Sequence, residues 1–166
     1  MAAQPFSYSG QGYSPRGEKN RFVLPPQFRR VVKDSSAGSR VLCLAKHDRW
    51  DCLTGFGLSR AGELDAQIDR EEALAATRGT DFDREMRAIQ LYGFAEIPFD
   101  DSGRFIMPEH LIGLAKLDDG LFFQGAGGFF TIWNPARLAA MGPGFEAAQG
   151  ACAALVADAE AKERKR

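Results

Sequence analysis

The sequence predicts an α+β fold: two tandem strand–turn–strand–helix–hairpin repeats, with linking and C-terminal helices. Three observations lead there. The pentamer Arg21-Phe22-Val23-Leu24-Pro25 returns 83 residues later as Arg104-Phe105-Ile106-Met107-Pro108. Each copy follows a turn-rich segment and precedes a short helical stretch and two apolar, strand-like runs. A β-rich unit of about fifty residues cannot bury enough surface by itself, so two such units in one chain imply a shared core.

The elements follow in order. Pro15-Arg16-Gly17-Glu18-Lys19-Asn20 is a turn, and the first pentamer is the strand after it. Proline is tolerated in the first turn of a helix, so Pro25 marks a strand-to-helix boundary and the helix runs from Gln27 to Lys33. Val41-Leu42-Cys43-Leu44-Ala45, the polar turn Lys46 to Asp51, and Cys52-Leu53-Thr54-Gly55-Phe56 then read as a hairpin. Ser59 can cap a helix to about Thr77, with Leu64, Ile68 and Leu74 on its apolar side. Arg78-Gly79-Thr80 breaks it, and Asp81 can cap a second helix through Phe82, Met86, Ile89 and Leu91.

Phe94-Ala95-Glu96-Ile97 opens the second unit as a strand. The turn Phe99-Asp100-Asp101-Ser102-Gly103, the second pentamer and a helix from Glu109 to Lys116 follow. Leu121-Phe122-Phe123-Gln124 and Phe129-Phe130-Thr131-Ile132-Trp133 form its hairpin around Gly125-Ala126-Gly127-Gly128. From Phe145 the chain is alanine-rich and helical, and Lys162-Glu163-Arg164-Lys165-Arg166 is expected to fray. The expected segments are thus a first repeat over 6–58, a helical linker over 59–93, a second repeat over 94–140 and a C-terminal helix with a basic tail over 141–166. Phe22, Leu24, Phe105, Met107, Phe123, Phe130 and Ile132 are the expected core.

Composition narrows the function. The chain has 166 residues, 45% apolar and 26% charged, with formal net charge −1, an ordinary globular balance. No run reaches the roughly 18 apolar residues of a membrane span. Met1-Ala-Ala-Gln-Pro-Phe has no basic region ahead of an apolar one, so a cytoplasmic location without a secretory signal is expected. Three cysteines, Cys43, Cys52 and Cys152, suit a reducing compartment, and the first two read as small buried hydrophobes. Residues 1–50 carry nine basic side chains against three acids, a net +6, which leaves −7 on the other 116. A basic half can hold an anionic partner although the whole chain is slightly acidic.

The sharpest local motif is Asp100-x-x-Gly103-Arg104. An Asp at a turn start accepts nearby backbone N–H groups, Gly supplies a positive φ, and the Arg either pairs back or projects outward. The first copy carries Gly17 and Asn20 at the equivalent positions. Asn tolerates the left-handed region, so the turn survives without its acid. With Arg16 and Lys19 beside it, Arg21 has less internal pairing and is better placed for a phosphate or a base edge.

No catalytic or metal site is expected. His47 and His110 have no Ser or Cys partner that the sequence places nearby. Cys43, His47 and Cys52 would give only three ligands at an unusual spacing. The glycine-rich Gly125–Gly128 stretch is not followed by Lys-Ser/Thr and is flanked by strands.

A duplicated Asp-x-x-Gly-Arg unit with two or three apolar residues, Pro, a short helix and a hairpin resembles the MraZ family. The resemblance covers about residues 6–140. It includes the segment Phe99 to Pro108, the helix Leu111 to Leu117, the hairpin closing at Trp133, and Arg84 and Arg87 ahead of Leu91-Tyr92-Gly93-Phe94-Ala95. It implies a swapped-hairpin, AbrB-like β-barrel. It also implies a bacterial transcriptional regulator of the division and cell-wall gene cluster, assembled as a ring of subunits in the cytoplasm with the nucleoid. Such a ring would bind double-stranded DNA at short direct repeats upstream of its own operon, with no cofactor. The candidate DNA contacts are Arg16, Lys19, Asn20, Arg21, Arg29, Arg30 and Arg104, with Asp100 and Gly103 shaping a structural turn. Two other readings compete: an oligomeric interaction module of the same fold that has lost specific DNA readout, and an enzyme with a pocket inside the barrel.

Overall fold

The four short strands outside the hairpins alternate buried and exposed side chains and end at or near a proline, whereas the hairpin strands are buried or half-buried along their whole length. The computed structural model describes residues 6–165. In the first unit, β1 (Gln11–Pro15) leads into a 3-10 turn (Glu18–Asn20), β2 (Arg21–Val23), α1 (Pro26–Ser35), β3 (Val41–Lys46) and β4 (Leu53–Phe56). A 3-10 segment (Leu58–Glu63), α2 (Leu64–Arg78) and α3 (Arg84–Tyr92) link the units. In the second, β5 (Ala95–Pro98), β6 (Arg104–Ile106), α4 (Glu109–Ala115), β7 (Gly120–Gly125) and β8 (Phe130–Trp133) follow the same order. Then come α5 (Pro135–Ala139) and α6 (Glu146–Arg164).

The class is α+β with antiparallel pairing. Six strands form one sheet in the order β1-β7-β8-β4-β3-β5, and β2 and β6 form a separate ribbon. The units are interleaved rather than juxtaposed. The first strand of each pairs with the hairpin of the other: β1 with β7, β5 with β3. The two hairpins meet at β4 and β8, where Thr54 faces Thr131. The ribbon closes on Phe22 facing Phe105. A local two-fold relation passes through these two pairs, and it explains how two small units acquire one core.

That core holds all seven expected residues, each at most 2% exposed, together with Phe28 and Val32 of α1 and Leu111 and Ala115 of α4. Phe28 packs between Phe123 and Phe130, with ring centroids 6.1 and 5.0 Å away. A second cluster joins Cys52, Phe122 and Trp133 to Leu138 of α5 and Cys152 of α6. All three cysteines are buried and free, as expected of Cys43 and Cys52. Burial pushes the Cys43 and Cys52 thiols up to about 12, so neither is a thiolate at neutral pH.

Among the described residues the strands do not close into one barrel. The ribbon meets β1 through a side chain instead of a ladder: Val23 N–H donates to Ser14 Oγ at 2.8 Å. Gly12 lies directly beneath the Pro25 ring, and Pro25 has no N–H to offer.

Several local expectations are corrected. Ser59 caps no helix. Its hydroxyl bonds Ser35 Oγ at 2.6 Å, and the chain makes a 3-10 segment before α2 begins at Leu64. The cap of α3 is Asp83, not Asp81: Asp83 Oδ1 accepts the Met86 N–H at 3.0 Å. Leu74, Met86 and Ile89 are exposed and only Leu64 and Ile68 of α2 are buried, because ion pairs hold the α2–α3 pair together. Arg87 bonds Glu71 through both Nε and Nη2, at 2.7 and 3.1 Å, and Asp48 at 2.9 Å. α6 stays helical to Arg164 instead of fraying from Lys162; Arg166 lies outside the described residues.

Candidate nucleic-acid interface

The repeated turn and ribbon form one surface. Within each unit the turn closes identically: Gly17 N–H donates to the Arg21 carbonyl at 2.7 Å, and Asp100 N–H to the Arg104 carbonyl at 3.0 Å. Each turn also bonds the other copy: Leu24 N–H donates to the Gly103 carbonyl and Met107 N–H to the Asn20 carbonyl, at 2.8 and 2.9 Å. Gly103 has φ +84, which favours glycine, and a Cβ there would sit 2.5 Å from Arg29 Nε and displace that guanidinium. Asn20 has φ +61 and Lys19 +57, so the first turn is held left-handed at two L-residues.

What distinguishes the two turns is charge. Asp100 clamps the second: Oδ1 accepts the N–H groups of Ser102 and Arg104, both at 2.9 Å, and Oδ2 pairs with Arg104 Nε at 2.7 Å. Asp101 pairs with Arg40 of the first unit. The first turn has no such carboxylate; Arg16 Nη2 bonds Asn20 Oδ1 instead, and Glu18 does not replace the missing acid. Arg21 is exposed, and among the described residues its guanidinium has no hydrogen-bond or ion-pair partner. Residues 16–21 carry three cations and one acid, whereas residues 99–104 carry one cation and two acids.

Of the expected contacts, Arg16, Lys19, Asn20, Arg21 and Arg104 therefore come together on the turns and ribbon. Arg29 does something else: Nε and Nη2 donate to the Leu24 carbonyl at 3.3 and 3.0 Å, and Nη1 to the Asp101 carbonyl at 3.4 Å. It ties α1 to the second turn. Arg30 is exposed on α1. Val23 and Ile106, which sequence reasoning missed, share the ribbon's outward face with the two arginines at 39% and 53% exposure. Strand period carries the signal for them: with Phe22 and Phe105 inward, their neighbours must face out.

His47 is a turn cap. Nδ1 accepts the N–H of Arg49 at 3.0 Å and of Trp50 at 3.3 Å, the ring stacks on Trp50, and burial lowers its pKa. Gly125–Gly128 is the β7–β8 turn, with Gly127 at φ +84. Among the described residues no group of three or more metal-ligating side chains is found, and no helix is long and apolar enough to cross a membrane.

The Asp100 clamp yields a pH prediction. The Arg104 backbone N–H, then the Arg104 side chain and the Ser102 N–H, hold the Asp100 carboxyl below its ordinary pKa. A carboxyl depressed in the folded state adds stability above its unfolded pKa and loses it as pH falls through the folded value. The stability gap between wild type and Asp100→Asn is expected to be complete above about pH 5 and to close below about pH 4. Urea midpoints at pH 7 and pH 3 check this, and a gap of equal size at both would remove charge from the account.

No family model matches this chain. Curated relatives do. The "Transcriptional regulator MraZ" of Parvibaculum lavamentivorans is 31% identical over 135 residues, which is 81% of this chain and 80% of the relative. The proteins of the same name from Ruegeria pomeroyi and Rhodospirillum rubrum are each 31% identical, over 136 residues (78% of both chains) and 139 residues (80% of this chain, 84% of the relative). With two interleaved copies of the turn–ribbon unit and these relatives across most of its length, the chain belongs to the MraZ family.

Proposed function

We propose that this chain is a sequence-specific, DNA-binding transcriptional regulator, not an enzyme, acting on its own division and cell-wall operon as a ring-shaped homo-oligomer in the cytoplasm, with the nucleoid. The observation that carries it is Arg21: exposed beside Arg16 and Lys19 on a turn that has lost its internal acid. The names of the relatives, transcriptional regulators, support regulation of transcription. The exchange of strands between hairpins, β1 to β7 and β5 to β3, supports the swapped-hairpin reading of the fold and of the two repeats as domains. A ring would present several modest ribbon surfaces at once, each raising the effective concentration of the next on repeated DNA.

Fluorescence anisotropy tests it, with duplex from upstream of the protein's own gene against a scrambled duplex across a salt series. The expected result is selective binding, with log affinity falling by about 0.9 per phosphate contacted for each unit of log salt. Light scattering on the same sample reads the assembly. The missing acid at Gly17 favours one competitor, an oligomeric module that has lost specific readout. Equal weak binding to both duplexes with intact assembly would select that module.

A further inference from the structure

We propose that Val23 and Ile106 read the 5-methyl groups of thymines next to the bases that Arg21 and Arg104 approach; the inference rests on the DNA-binding reading above. The ribbon's register sets Arg21 opposite Ile106 and Val23 opposite Arg104, with Phe22 and Phe105 between them facing the core. The outward face is therefore four side chains: two arginines on one diagonal and two β-branched aliphatics on the other. Val23 and Ile106 are 83 residues apart, the same interval that separates Arg21 from Arg104, so both halves of the ribbon expose an aliphatic side chain at the same position. The turns before them differ, with Gly17 for Asp100 and Asn20 for Gly103, but this outward pair does not change character.

A single exposed aliphatic residue requires no explanation. Two at matched positions, each between an arginine on its own strand and another across the ribbon, form a pattern. The turn that feeds β2 is cationic, with Arg16 and Lys19, and the two acids of the turn that feeds β6 are paired, Asp100 with Arg104 and Asp101 with Arg40. That combination fits a polyanion that also offers isolated apolar points. Duplex DNA does so in the major groove, where thymine's methyl is the apolar group on a base edge and a two-stranded ribbon can enter a groove about 12 Å wide. The spacing suits it. Residues two apart on a strand lie about 6.6–6.8 Å apart, close to two base-pair steps, and residues directly opposite lie about 4.5–5.5 Å apart. Each aliphatic therefore reaches a base within one or two steps of the one its neighbouring arginine reaches. Valine and isoleucine also have little rotamer freedom to lose on contact.

The experiment replaces single thymines by deoxyuridine in the upstream duplex, which deletes one methyl and leaves every hydrogen-bonding group in place. Affinity of the wild-type protein is expected to fall about three- to five-fold at one or two thymines per bound ribbon and to stay unchanged at the others. Val23→Ala and Ile106→Ala proteins, with thermal midpoints near wild type because both side chains are exposed, should each become insensitive to uridine at one of those positions. If wild type binds every uridine duplex as tightly as the thymine duplex, the proposal is overturned while DNA binding stands. If the two variants lose subunit assembly and keep their uridine sensitivity, the aliphatic pair is a subunit contact and the proposal is equally overturned. A wild-type protein that does not prefer upstream duplex over scrambled removes the sequence-specific reading itself, and this inference with it.

Discussion

Arg21→Ala is expected to weaken binding to the upstream duplex by about ten- to a hundred-fold, the value of one bidentate base contact, with little change in stability. The stability expectation follows from exposure and from the missing internal partner, since truncation leaves no buried group unpaired. Arg104→Ala should behave in the opposite way. Its guanidinium is paired with Asp100 at 2.7 Å, so its loss loosens the second turn, and its smaller effect on DNA reflects an arginine partly neutralised within its own unit. Arg21→Lys separates the two roles open to Arg21. A lysine keeps a point charge for a phosphate but lacks the rigid planar fork that an arginine presents to a guanine edge. Unchanged selectivity in Arg21→Ala with affinity restored by lysine would assign Arg21 to the backbone, and lost selectivity that lysine does not restore would assign it to a base. Equal losses from Arg21→Ala and Arg104→Ala would remove the asymmetry between the turns.

That asymmetry is legible in the amino-acid sequence alone, because it rests on residue identity at repeated positions: Gly17 against Asp100, Asn20 against Gly103. The same holds for Phe22, Leu24, Phe105 and Met107, since the pentamer's period of two dictates which side chains face inward. Partner choice is not legible in this way. Strand runs at 41–46 and 120–125 look alike locally, and nothing in their alternation says that β1 crosses to β7 while β5 crosses to β3. Apart from the family resemblance, only the size argument, that neither unit could bury a core alone, points to exchange. The misplaced caps at Ser59 and Asp81 share a cause. Several Ser and Asp residues near a helix start can all accept an N–H, and the choice is made by tertiary contacts such as Ser35 Oγ on Ser59 Oγ. α5 is absent from the expected elements although Asn134-Pro135 carries its signal, a cap followed by proline at the first helical position; Asn134 Oδ1 accepts the Ala136 N–H at 3.0 Å. The outward face of Val23 and Ile106 follows from that same period once Phe22 and Phe105 face inward, but their placement across from the two arginines follows only from the β2–β6 register. Charge alone places Arg29 among the candidate DNA contacts, and only the positions of the Leu24 and Asp101 carbonyls reveal that it braces α1 against the second turn.

The brace and the turns hold the ribbon's edges; its centre depends on two rings. Phe22 and Phe105 face each other across the local two-fold, 1% and 2% exposed, with ring centroids 6.3 Å apart. Phe105→Ala is expected to cost about 3–5 kcal/mol, the usual range for a buried phenylalanine whose surroundings cannot collapse into the void. Here collapse is opposed by the hydrogen bonds that fix both turns, Leu24 N–H to Gly103 and Met107 N–H to Asn20. Against a typical total of about 5–15 kcal/mol, that loss should be plain in the urea midpoint. Because the ribbon is nearly symmetric, Phe22→Ala should cost a similar amount. The double variant should cost less than the sum, since each single truncation already removes the ring-to-ring contact. Costs under about 1 kcal/mol for both single variants would show that the ribbon is not anchored by its rings. DNA binding should then separate two kinds of damage. Arg21→Ala loses affinity in a protein of normal stability, whereas Phe105→Ala loses affinity in step with the ordered ribbon and recovers it when stability is raised with an osmolyte. A variant that regains its midpoint but not its affinity would mean that the ring is needed at the DNA surface itself, which its burial on the core side of the ribbon argues against.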